Sequence, residues 1–445
     1  QKQSDMNLFM EWVNGKFTYR YSKYEELWEW SISDSSDFWE SILNYYNVKY
    51  SGSYKNAIQK GDRFYDFKWF QGIKLSYAEH IFRNANNNYP AIVHQVEKGS
   101  PIEVSWDELR SQVAKMTSFL KSKNIQKGDV VCAILTNGIE AIVGFLAANS
   151  LGAIWSSCSP DFGSKGIIER FGQINPKLLF ASNNYSFNGT QVEISSKIES
   201  VLKEISSIQL AVFTSEIPSI KTNKELFLWN EIPKTNISLS FVQVDFNHPI
   251  YVLYSSGTTG SPKAITHQTG GIILEHFKAL GLHHDVKKGD RFFWQSTIGW
   301  MMWNYSVSSL LLGATLCVYD GSPFYPKKDN LWKFAIGAKL THFGASAAYF
   351  DFCRRVKLNF TNNPTIQKIK SIGSTGSPLS DDCFKWIYNK VNPNVWLISL
   401  SGGTDICSGF VGGNPFNPVY KGEIQCRMLG VNLRIYSERG KVLLN

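Results

Sequence analysis

A short stretch near the middle of the chain combines hydroxyl groups, glycines and a lysine in a pattern suited to phosphate chemistry. It runs from Ser255 to Lys263 and follows the apolar residues 250–254, which have the composition of a buried strand. Glycines let the backbone approach an anion closely, hydroxyl and amide groups donate hydrogen bonds to its oxygens, and lysine supplies positive charge. The stretch therefore predicts a strand followed by a loop that binds the phosphates of a nucleotide.

The predicted phosphate contacts come from the small, hydroxyl-bearing and charged residues of this loop: Ser255, Ser256, Gly257, Thr258, Thr259, Gly260 and Lys263. The loop is not a Walker A sequence, which needs Gly-Lys-Ser/Thr followed by a helix, because Pro262 precedes the lysine here and Ala264 follows it. A Ser/Gly-rich surface turn is the alternative. We favour it less, because a turn rarely needs so many hydroxyl groups and a lysine after a buried strand.

Two other segments rich in glycine and hydroxyl groups, residues 373–378 and residues 399–405, also follow apolar runs. A further apolar run ends at Gln295. Ligands of open α/β sheets bind beyond the carboxyl ends of the strands, so these ends and the phosphate loop can converge on one cleft. The alternatives are an ordinary strand-to-helix turn for the first segment and a solvated turn aspartate at Asp405 for the second.

Two more segments have compositions that ordinary structure would also explain. Residues 294–303 are dense in aromatic residues and methionine, and core packing alone accounts for much of that pattern. Residues 159–164 contain Pro-Asp-x-Gly, which is common turn chemistry. Neither segment specifies a ligand by itself.

The size and composition of the chain indicate a globular protein of two or three domains or subdomains. Its 445 residues exceed what one core usually holds, and 43% hydrophobic and 14% aromatic residues supply a large buried core. The formal net charge is +9, but the basic residues are scattered. We interpret this charge mainly as a solvated surface that could favour an anionic ligand. A nucleic-acid-binding role would rest on this charge alone.

The cysteines favour a reducing compartment. There are seven of them, an odd number, and no CxxC pair occurs, which argues against a disulfide framework or a zinc ribbon. No apolar stretch reaches the roughly 20 residues that span a bilayer, and no signal peptide is evident. We therefore expect a cytoplasmic protein with no membrane span and no nucleic-acid partner. The oligomeric state does not follow from the sequence.

The order of the segments predicts an α/β protein with two stacked α/β subdomains, mixed and largely parallel sheets, and the start of a small β-subdomain. Its regions are an aromatic-rich N-terminal part packing on the body at 1–90, a first α/β subdomain at 91–245, a second with the nucleotide loop at 246–415, and an incomplete β-subdomain at 416–445.

Helix periodicity is clearest after residue 104. Ser105 and Glu108 form a capping box of the Ser-x-x-Glu type. Leu109, Val113 and Met116 then recur at the spacing of one buried helical stripe, which continues to Leu120.

The phosphate loop resembles the signature loop of the superfamily of acyl- and aryl-CoA synthetases, adenylation domains and luciferases. The resemblance implies binding of ATP and Mg²⁺, with catalytic roles for Lys263, Thr258 and Thr259. It also implies contacts to adenine from the residues Gly376, Ser377, Pro378, Ser399, Leu400 and Ser401. Asp405 takes the place of the usual glutamate, and a carboxylate near a triphosphate suits Mg²⁺.

A narrower resemblance, to the acetoacetyl-CoA synthetase family, rests on residues 300–303 and 401–406 and covers essentially the whole chain. It implies an acyl pocket made by Trp300, Met301, Met302, Thr375, Gly402, Gly403 and Thr404. It also places Phe162 and Gly163 against the pantetheine arm of CoA. Related acetyl-CoA synthetases carry a bulky tryptophan where this chain has Gly402, so the glycine is expected to leave room for a four-carbon acid.

The activity implied is ATP-dependent ligation of acetoacetate to CoA through an acyl-adenylate, giving acetoacetyl-CoA, AMP and pyrophosphate. Alternatives are a synthetase for acetate, propionate, butyrate or 3-hydroxybutyrate, and a non-catalytic nucleotide- or CoA-binding protein. The superfamily also carries a ribose-binding aspartate, a hinge and a small C-terminal domain with a catalytic lysine. No position before Asn445 matches these, so this stretch alone is expected to be poor at adenylation.

Overall fold

The computed structural model describes residues 3–234, 237–255 and 260–443. Within these ranges the α-helices, numbered in chain order, are α1 Asp5–Phe17, α2 Tyr24–Ser33, α3 Ser35–Tyr45, α4 Tyr77–Phe82, α5 Trp106–Ser122, α6 Ile139–Ser150, α7 Ser164–Phe171, α8 Ser195–Glu204, α9 Thr269–His276, α10 Met301–Val307, α11 Asn330–Gly337, α12 Ala347–Arg355 and α13 Asp381–Trp386. Short 3₁₀ turns span Phe64–Asp66, Trp229–Glu231, Ser308–Leu312 and Ile366–Lys368, and π-helical turns span Phe277–Leu282 and Ile387–Val391.

The strands, also numbered in chain order, are β1 Ser51–Gly52, β2 Ile58–Gln59, β3 Lys68–Trp69, β4 Ile73–Leu75, β5 Ile92–Val96, β6 Ile102–Val104, β7 Val130–Ile134, β8 Ile154–Cys158, β9 Leu178–Ala181, β10 Asn184–Phe187, β11 Thr190–Glu193, β12 Leu210–Phe213, β13 Glu225–Leu228, β14 Val244–Asp245, β15 Pro249–Ser255, β16 Lys263–Gln268, β17 Arg291–Trp294, β18 Thr315–Asp320, β19 His342–Ser346, β20 Ser371–Thr375, β21 Trp396–Ser399, β22 Ser401–Gly403, β23 Ser408–Gly412, β24 Cys426–Arg427, β25 Ile435–Tyr436 and β26 Val442–Leu443.

The first large sheet has the strand order β13-β12-β9-β7-β8-β15-β16. Its strands pair in parallel except at one end, where β16 runs antiparallel to β15. Strands β15 and β16 therefore form a hairpin, with Ser255 paired to Lys263 at its neck. The predicted buried strand before the phosphate loop is β15, in which residues 250–253 are buried.

The second large sheet has the order β21-β20-β19-β17-β18-β5-β6 and is parallel apart from the edge strand β6. It exchanges strands with the first sheet across the predicted boundary at residue 245. The early strands β5 and β6 belong to it, whereas the later strands β15 and β16 belong to the first sheet. The predicted α/β class with largely parallel sheets is confirmed, and the proposed boundaries stay predictions.

The helix α5 has the cap and the buried stripe that the sequence predicts. The Ser105 side chain accepts a hydrogen bond from the Glu108 backbone N–H, and the Glu108 carboxylate accepts one from the Ser105 backbone N–H at 2.8 Å. Leu109, Val113 and Met116 are buried, as is Leu120. This reciprocal cap satisfies donors that the first turn of a helix otherwise leaves unpaired.

The aromatic N-terminal region packs against the far end of the described chain. The Tyr24 hydroxyl donates to the backbone oxygen of Arg427 at 2.5 Å, and the indole N–H of Trp28 donates to that of Val431 at 3.2 Å. The Arg427 guanidinium lies 3.6 Å from the centre of the Trp28 ring. These aromatic residues are packing groups of an interface between the two ends.

The part of the chain after residue 415 contains only short strands, of which β24 joins β22 and β23 in a three-stranded sheet. Strands β25 and β26 form a separate two-stranded ribbon. Among the described residues, no helix is both long and apolar enough to cross a lipid bilayer.

Candidate active site

One cavity of about 520 Å³ lies beyond the carboxyl ends of β17, β20 and β21 of the second large sheet, in which β20 and β21 are neighbours and β19 separates them from β17. Every residue predicted to contact adenine or the acyl group lines it. Its walls comprise Trp300, Met301, Met302, Thr375, Gly376, Ser377, Pro378, Leu379, Ser399, Leu400, Ser401, Gly402, Gly403, Thr404, Ser408, Gly422 and Ile424. Three of the four strand ends singled out in the sequence therefore meet at one place.

The apolar wall of the cavity is the start of α10. Trp300 has an extended backbone at the N-cap, with φ −105° and ψ 138°, and the helix begins at Met301. Met301 and Met302 are mostly buried yet line the cavity. Trp303, in contrast, is core: it is 1% exposed, and its indole N–H donates to the Asn137 side-chain oxygen at 3.1 Å. The core-packing alternative thus holds for Trp303.

The segment predicted to lie along adenine is tied to its neighbour by Thr375. The Thr375 hydroxyl donates to the backbone oxygen of Leu400 at 2.9 Å and so links the ends of β20 and β21. The next residue, Gly376, has φ +90°, a conformation that side chains disfavour. No heavy atom lies within 4 Å of where its Cβ would be. The backbone there faces open space that a flat ring can approach.

The hairpin made of β22 and β23 lines the cavity where the acyl group was predicted, and buried side chains hold its turn in place. Cys407 in the turn has φ +50°, which is uncommon for a residue other than glycine. The ring of the fully buried His276 contacts the Cys407 backbone oxygen, and the Tyr251 hydroxyl lies 3.3 Å from the Cys407 Sγ atom. The same sulfur lies 3.7 Å from the backbone oxygen of Met301. The hairpin and the apolar wall are therefore anchored to each other.

The structure modifies the physical reason for glycine at position 402. Gly402 does line the cavity, but a Cβ added there would collide with the backbone oxygen of Ser408 on the paired strand. A tryptophan at this position therefore needs a different hairpin backbone, and not merely free space. At Gly403 a Cβ would lie 3.5 Å from the Phe410 ring, an ordinary contact.

The phosphate loop is described only at its two ends. Ser256, Gly257, Thr258 and Thr259 lie outside the described residues. Ser255 and Lys263 face each other at the neck of the hairpin, and Gly260 has φ +89° with open space where a side chain would be. Neither Ser255 nor Lys263 lines the 520 Å³ cavity. Lys263 is exposed, and no ion pair involves it among the described residues.

Asp405 lies where the hairpin meets the strand that begins at Lys263. It lines a neighbouring cavity of about 1000 Å³ together with Thr266, His267 and Gln268 of β16. Burial lowers the pKa of His267 to about 4, and the Asp405 carboxylate acts in the opposite direction. Asp405 is thus one residue beyond Thr404 of the 520 Å³ cavity and beside the hairpin of β15 and β16.

The residues around Asp405 fit a magnesium ion bound mainly through a nucleotide. Asp405 is exposed, and the described part of the chain holds no group of three or more histidine, cysteine or acidic residues suited to a metal. Mg²⁺ commonly keeps several waters and binds through one or two carboxylates plus substrate phosphates. A lone accessible carboxylate matches that requirement.

The predicted CoA residues do not line the cavity but lie directly behind its wall. Gly163 is the N-cap of α7, and the Arg170 guanidinium lies 4.9 Å from the centre of the Phe162 ring. A Cβ on Gly299, the residue before Trp300, would lie 3.0 Å from the Ser159 backbone nitrogen and 3.4 Å from the Phe162 ring. This close approach brings the segment 159–164 against the start of the acyl wall.

Some functional candidates were missed at the sequence level: Leu379, Ser408, Gly422 and Ile424 also line the cavity. Gly403 pairs with Ser408 across the hairpin, so the chain returns to the cavity just after Asp405. The glycines before Asp405 and the small residues after it are the sequence signal for this return. The His276 contact involves residues distant in sequence and left no local signal.

Comparison with known proteins gives a consistent result. Residues 81–444 match the family described as AMP-binding enzyme. The acetoacetyl-coenzyme A synthetase of Rhizobium meliloti (strain 1021) is 37% identical over 444 residues, which cover 99% of this chain and 68% of that protein. The acetoacetyl-CoA synthetase of Xenopus tropicalis is 35% identical over 457 residues, covering 100% of this chain and 68% of that protein.

The fold agrees with a solved structure of a similar protein. The acetoacetyl-CoA synthetase from Streptomyces lividans superimposes with a TM-score of 0.93 at 36% sequence identity, over 99% of this chain and 69% of that one. The resemblance inferred from the phosphate loop and from residues 300–303 and 401–406 is thereby confirmed. The chain belongs to the AMP-binding enzyme family, in its acetoacetyl-CoA synthetase branch.

Proposed function

We propose that this protein ligates acetoacetate to CoA at the expense of ATP, giving acetoacetyl-CoA, AMP and pyrophosphate. The observation that carries the proposal is the 520 Å³ cavity, in which the segment suited to adenine adjoins the apolar Trp300–Met302 wall. An acyl-adenylate, which joins both groups through one phosphate, needs just such a continuous site. Membership of the acetoacetyl-CoA synthetase branch supports the choice of acid.

The reaction proceeds in two displacements. A carboxylate oxygen of acetoacetate attacks the α-phosphorus of ATP, and the bond to the pyrophosphate leaving group breaks. The thiol sulfur of CoA then attacks the acyl carbon, the thiol loses its proton, and AMP leaves. A carboxylate is already a nucleophile, so positioning and charge stabilisation are the main tasks of the protein.

The residues divide those tasks by position. Lys263, Thr258 and Thr259 are assigned catalytic roles at the phosphates. Further phosphate contacts are assigned to Ser255, Ser256, Gly257 and Gly260. Asp405 is assigned to Mg²⁺, which would neutralise phosphate charge when bound. The Thr375–Leu400 hydrogen bond supports the adenine segment Gly376–Pro378 and the strand end Ser399–Ser401. Phe162 and Gly163 are assigned to the pantetheine arm of CoA.

The same reasoning supports a proposed setting for the enzyme. All seven cysteines are free thiols, and only Cys426 is more than slightly exposed. Free thiols are typical of a reducing compartment, so we propose the cytoplasm.

We also propose the four regions bounded at residues 90, 245 and 415. The two large sheets exchange strands across the boundary at residue 245.

The test is acid-dependent exchange of labelled pyrophosphate into ATP, measured on the natural polypeptide that carries this sequence. Acetoacetate should support faster exchange than acetate or butyrate. Lys263→Met should reduce exchange by about 100-fold, since it removes a charge aimed at the phosphates. Lys203→Met, which removes an exposed lysine of α8, is the matched control and should leave the rate unchanged.

Each result has a clear meaning. If another short-chain acid supports faster exchange, the proposal of adenylate formation stands, and that acid takes the place of acetoacetate as the proposed substrate. No exchange with any acid in the folded polypeptide would favour a protein that binds nucleotide or CoA without catalysis.

A further inference from the structure

Ser408 is a buried hydroxyl group at the acyl end of the cavity. It is the first residue of β23, it is 3% exposed, and it lines the cavity. Its Oγ atom is withdrawn from solvent and makes no hydrogen bond to any atom of the described residues. Leaving a buried hydroxyl unpaired is destabilising, so such a group in a binding cavity calls for an explanation.

The other hydroxyl groups of the cavity do not share this property. The Thr375 hydroxyl is already bonded to the Leu400 backbone oxygen, Ser377 and Ser401 are exposed to solvent, and Ser399 and Thr404 are only half-buried. Ser408 thus combines burial with an unused donor. Serine has three staggered χ1 rotamers, so its hydroxyl can turn toward a ligand without moving the backbone.

The position of Ser408 is fixed relative to the acyl wall. Cys407, its neighbour in the chain, has its Sγ atom 3.7 Å from the Met301 backbone oxygen. On the paired strand, Gly403 lies opposite Ser408 and contributes no side chain that could cover it. Its partner Gly403 is assigned, with Trp300 and the methionines, to the acyl pocket, so Ser408 belongs to the acyl end.

We infer that the Ser408 hydroxyl donates a hydrogen bond to the 3-keto oxygen of acetoacetate and thereby selects this acid over butyrate. The inference rests on the proposed function, because it names a specificity-determining residue for that substrate. The methionines and Trp300 suit the methylene and methyl groups of either acid. Only acetoacetate brings an acceptor at C3 that can pair with the buried donor.

Discrimination follows from what each acid leaves unpaired. With butyrate bound, the Ser408 hydroxyl stays without an acceptor, as it does in the unliganded protein, whereas the 3-keto oxygen of acetoacetate supplies one. Sites with buried hydrogen-bonding groups discriminate strongly against analogues that lack the partner, whereas purely apolar pockets discriminate weakly between similar acids. The preference for the keto acid should therefore depend on this oxygen.

The test compares two acids that differ only in the ketone. The ratio of kcat/KM for acetoacetate to kcat/KM for butyrate is measured by pyrophosphate exchange on the natural polypeptide and on Ser408→Ala. Ser408→Ala should lower this ratio by about 5- to 20-fold, because kcat/KM for acetoacetate falls while kcat/KM for butyrate changes by less than about twofold. Ser408→Cys keeps the volume with a weak donor and should also lower the ratio.

Binding provides a second readout that does not depend on turnover. Stable N-acylsulfamoyl adenosine analogues carrying acetoacetyl or butyryl groups are titrated calorimetrically, and the Kd of the butyryl analogue divided by the Kd of the acetoacetyl analogue should fall in parallel. Ser41→Ala is the matched control, because Ser41 in α3 is also a fully buried hydroxyl without a partner among the described residues but does not line the cavity. It should leave both ratios unchanged.

The outcomes separate the two proposals. If the wild-type polypeptide prefers acetoacetate and both Ser408 variants keep that preference, the inference is overturned while the proposed function stands. If the wild type itself does not prefer acetoacetate, the proposed function fails, and the role of Ser408 fails with it.

Discussion

The Nε2 atom of His276 lies 2.9 Å from the backbone oxygen of Cys407, and the Nδ1 atom of the same ring lies 2.6 Å from the Ser308 hydroxyl. Burial lowers the pKa of His276 to about 3, so the ring is neutral at pH 7. A neutral ring has one N–H, which here donates to the carbonyl while Nδ1 accepts from Ser308. His276 thereby supports the unusual backbone of the turn that carries Asp405 and Ser408.

Replacing His276 with alanine should lower the free energy of unfolding by about 2–4 kcal/mol, since it opens a cavity and leaves a buried carbonyl unpaired. Chemical denaturation monitored by tryptophan fluorescence gives the change. Tyr77→Phe is the control: it removes only the hydroxyl that contacts Ser308 at 2.6 Å and should cost about 1 kcal/mol. Equal losses in the two variants would contradict a special role for the ring.

Acid should destabilise the protein well before its carboxylates titrate. All eight histidines have a pKa lowered by burial: His80, His94 and His267 to about 4, His276, His283 and His284 to about 3, and His248 and His342 in the same direction. The unfolded chain therefore binds more protons below its histidine pKa of about 6.5, and stability falls as the pH falls from there toward about 3.

Asp320 acts in the opposite sense, because burial raises its pKa to about 6 and its protonated form favours the folded state as the pH falls. Burial also raises the pKa of Asp5 and of Asp37, but these three carboxyl groups do not offset eight histidines. The midpoint of urea unfolding should therefore drop clearly between about pH 7 and about pH 5. A midpoint that stays constant over this range would mean that the histidines are solvated in the folded protein.

The adjacent glycines Gly402 and Gly403 of the hairpin should respond differently to one added methyl group. Gly402→Ala forces the new Cβ onto the Ser408 backbone oxygen and should cost at least about 2 kcal/mol of stability. Gly403→Ala meets the Phe410 ring at 3.5 Å and the Asp405 carboxylate at 3.7 Å, which are ordinary contacts, and should cost less than about 1 kcal/mol. Thermal unfolding of both variants decides the matter. A destabilised Gly403→Ala beside an unaffected Gly402→Ala would contradict the hairpin geometry.

Asp405 should set the magnesium requirement of adenylate formation. Asp405→Asn is expected to raise the Mg²⁺ concentration for half-maximal pyrophosphate exchange by about 10-fold, whereas Asp405→Glu keeps the charge and should change it less. Asp62→Asn, an exposed aspartate of the N-terminal region, serves as the control. An unchanged magnesium curve for Asp405→Asn would remove this residue from the site.

The elements around the cavity could be predicted because their signals are local. Apolar runs that end in glycine and hydroxyl residues identified β20 and β21 and the segments beyond them, and a capping box identified α5. The residues that come from the far strand of a hairpin, such as Ser408, were missed. Its contribution depends on the pairing of β22 with β23, which the glycines and small residues around Asp405 permit but do not specify.

The role of glycine at position 402 shows a second limit. The sequence suggested space for a longer acid, and the structure adds that two backbones approach too closely for any side chain. Residue type alone cannot separate these reasons, because both require the smallest residue. The exchange of strands between the large sheets was unpredictable for a similar reason, since it depends on pairings between distant segments.

That exchange of strands constrains how the chain can reach its native state. Val93 pairs with Cys317, so about half of the chain lies between two adjacent strands of one sheet. During synthesis, β5 emerges long before β18. The backbone hydrogen-bonding groups on that edge of β5 stay unpaired until β18 has been made. Folding of the two halves is therefore coupled, and a chain cut near residue 245 should yield two pieces that are soluble only when produced together.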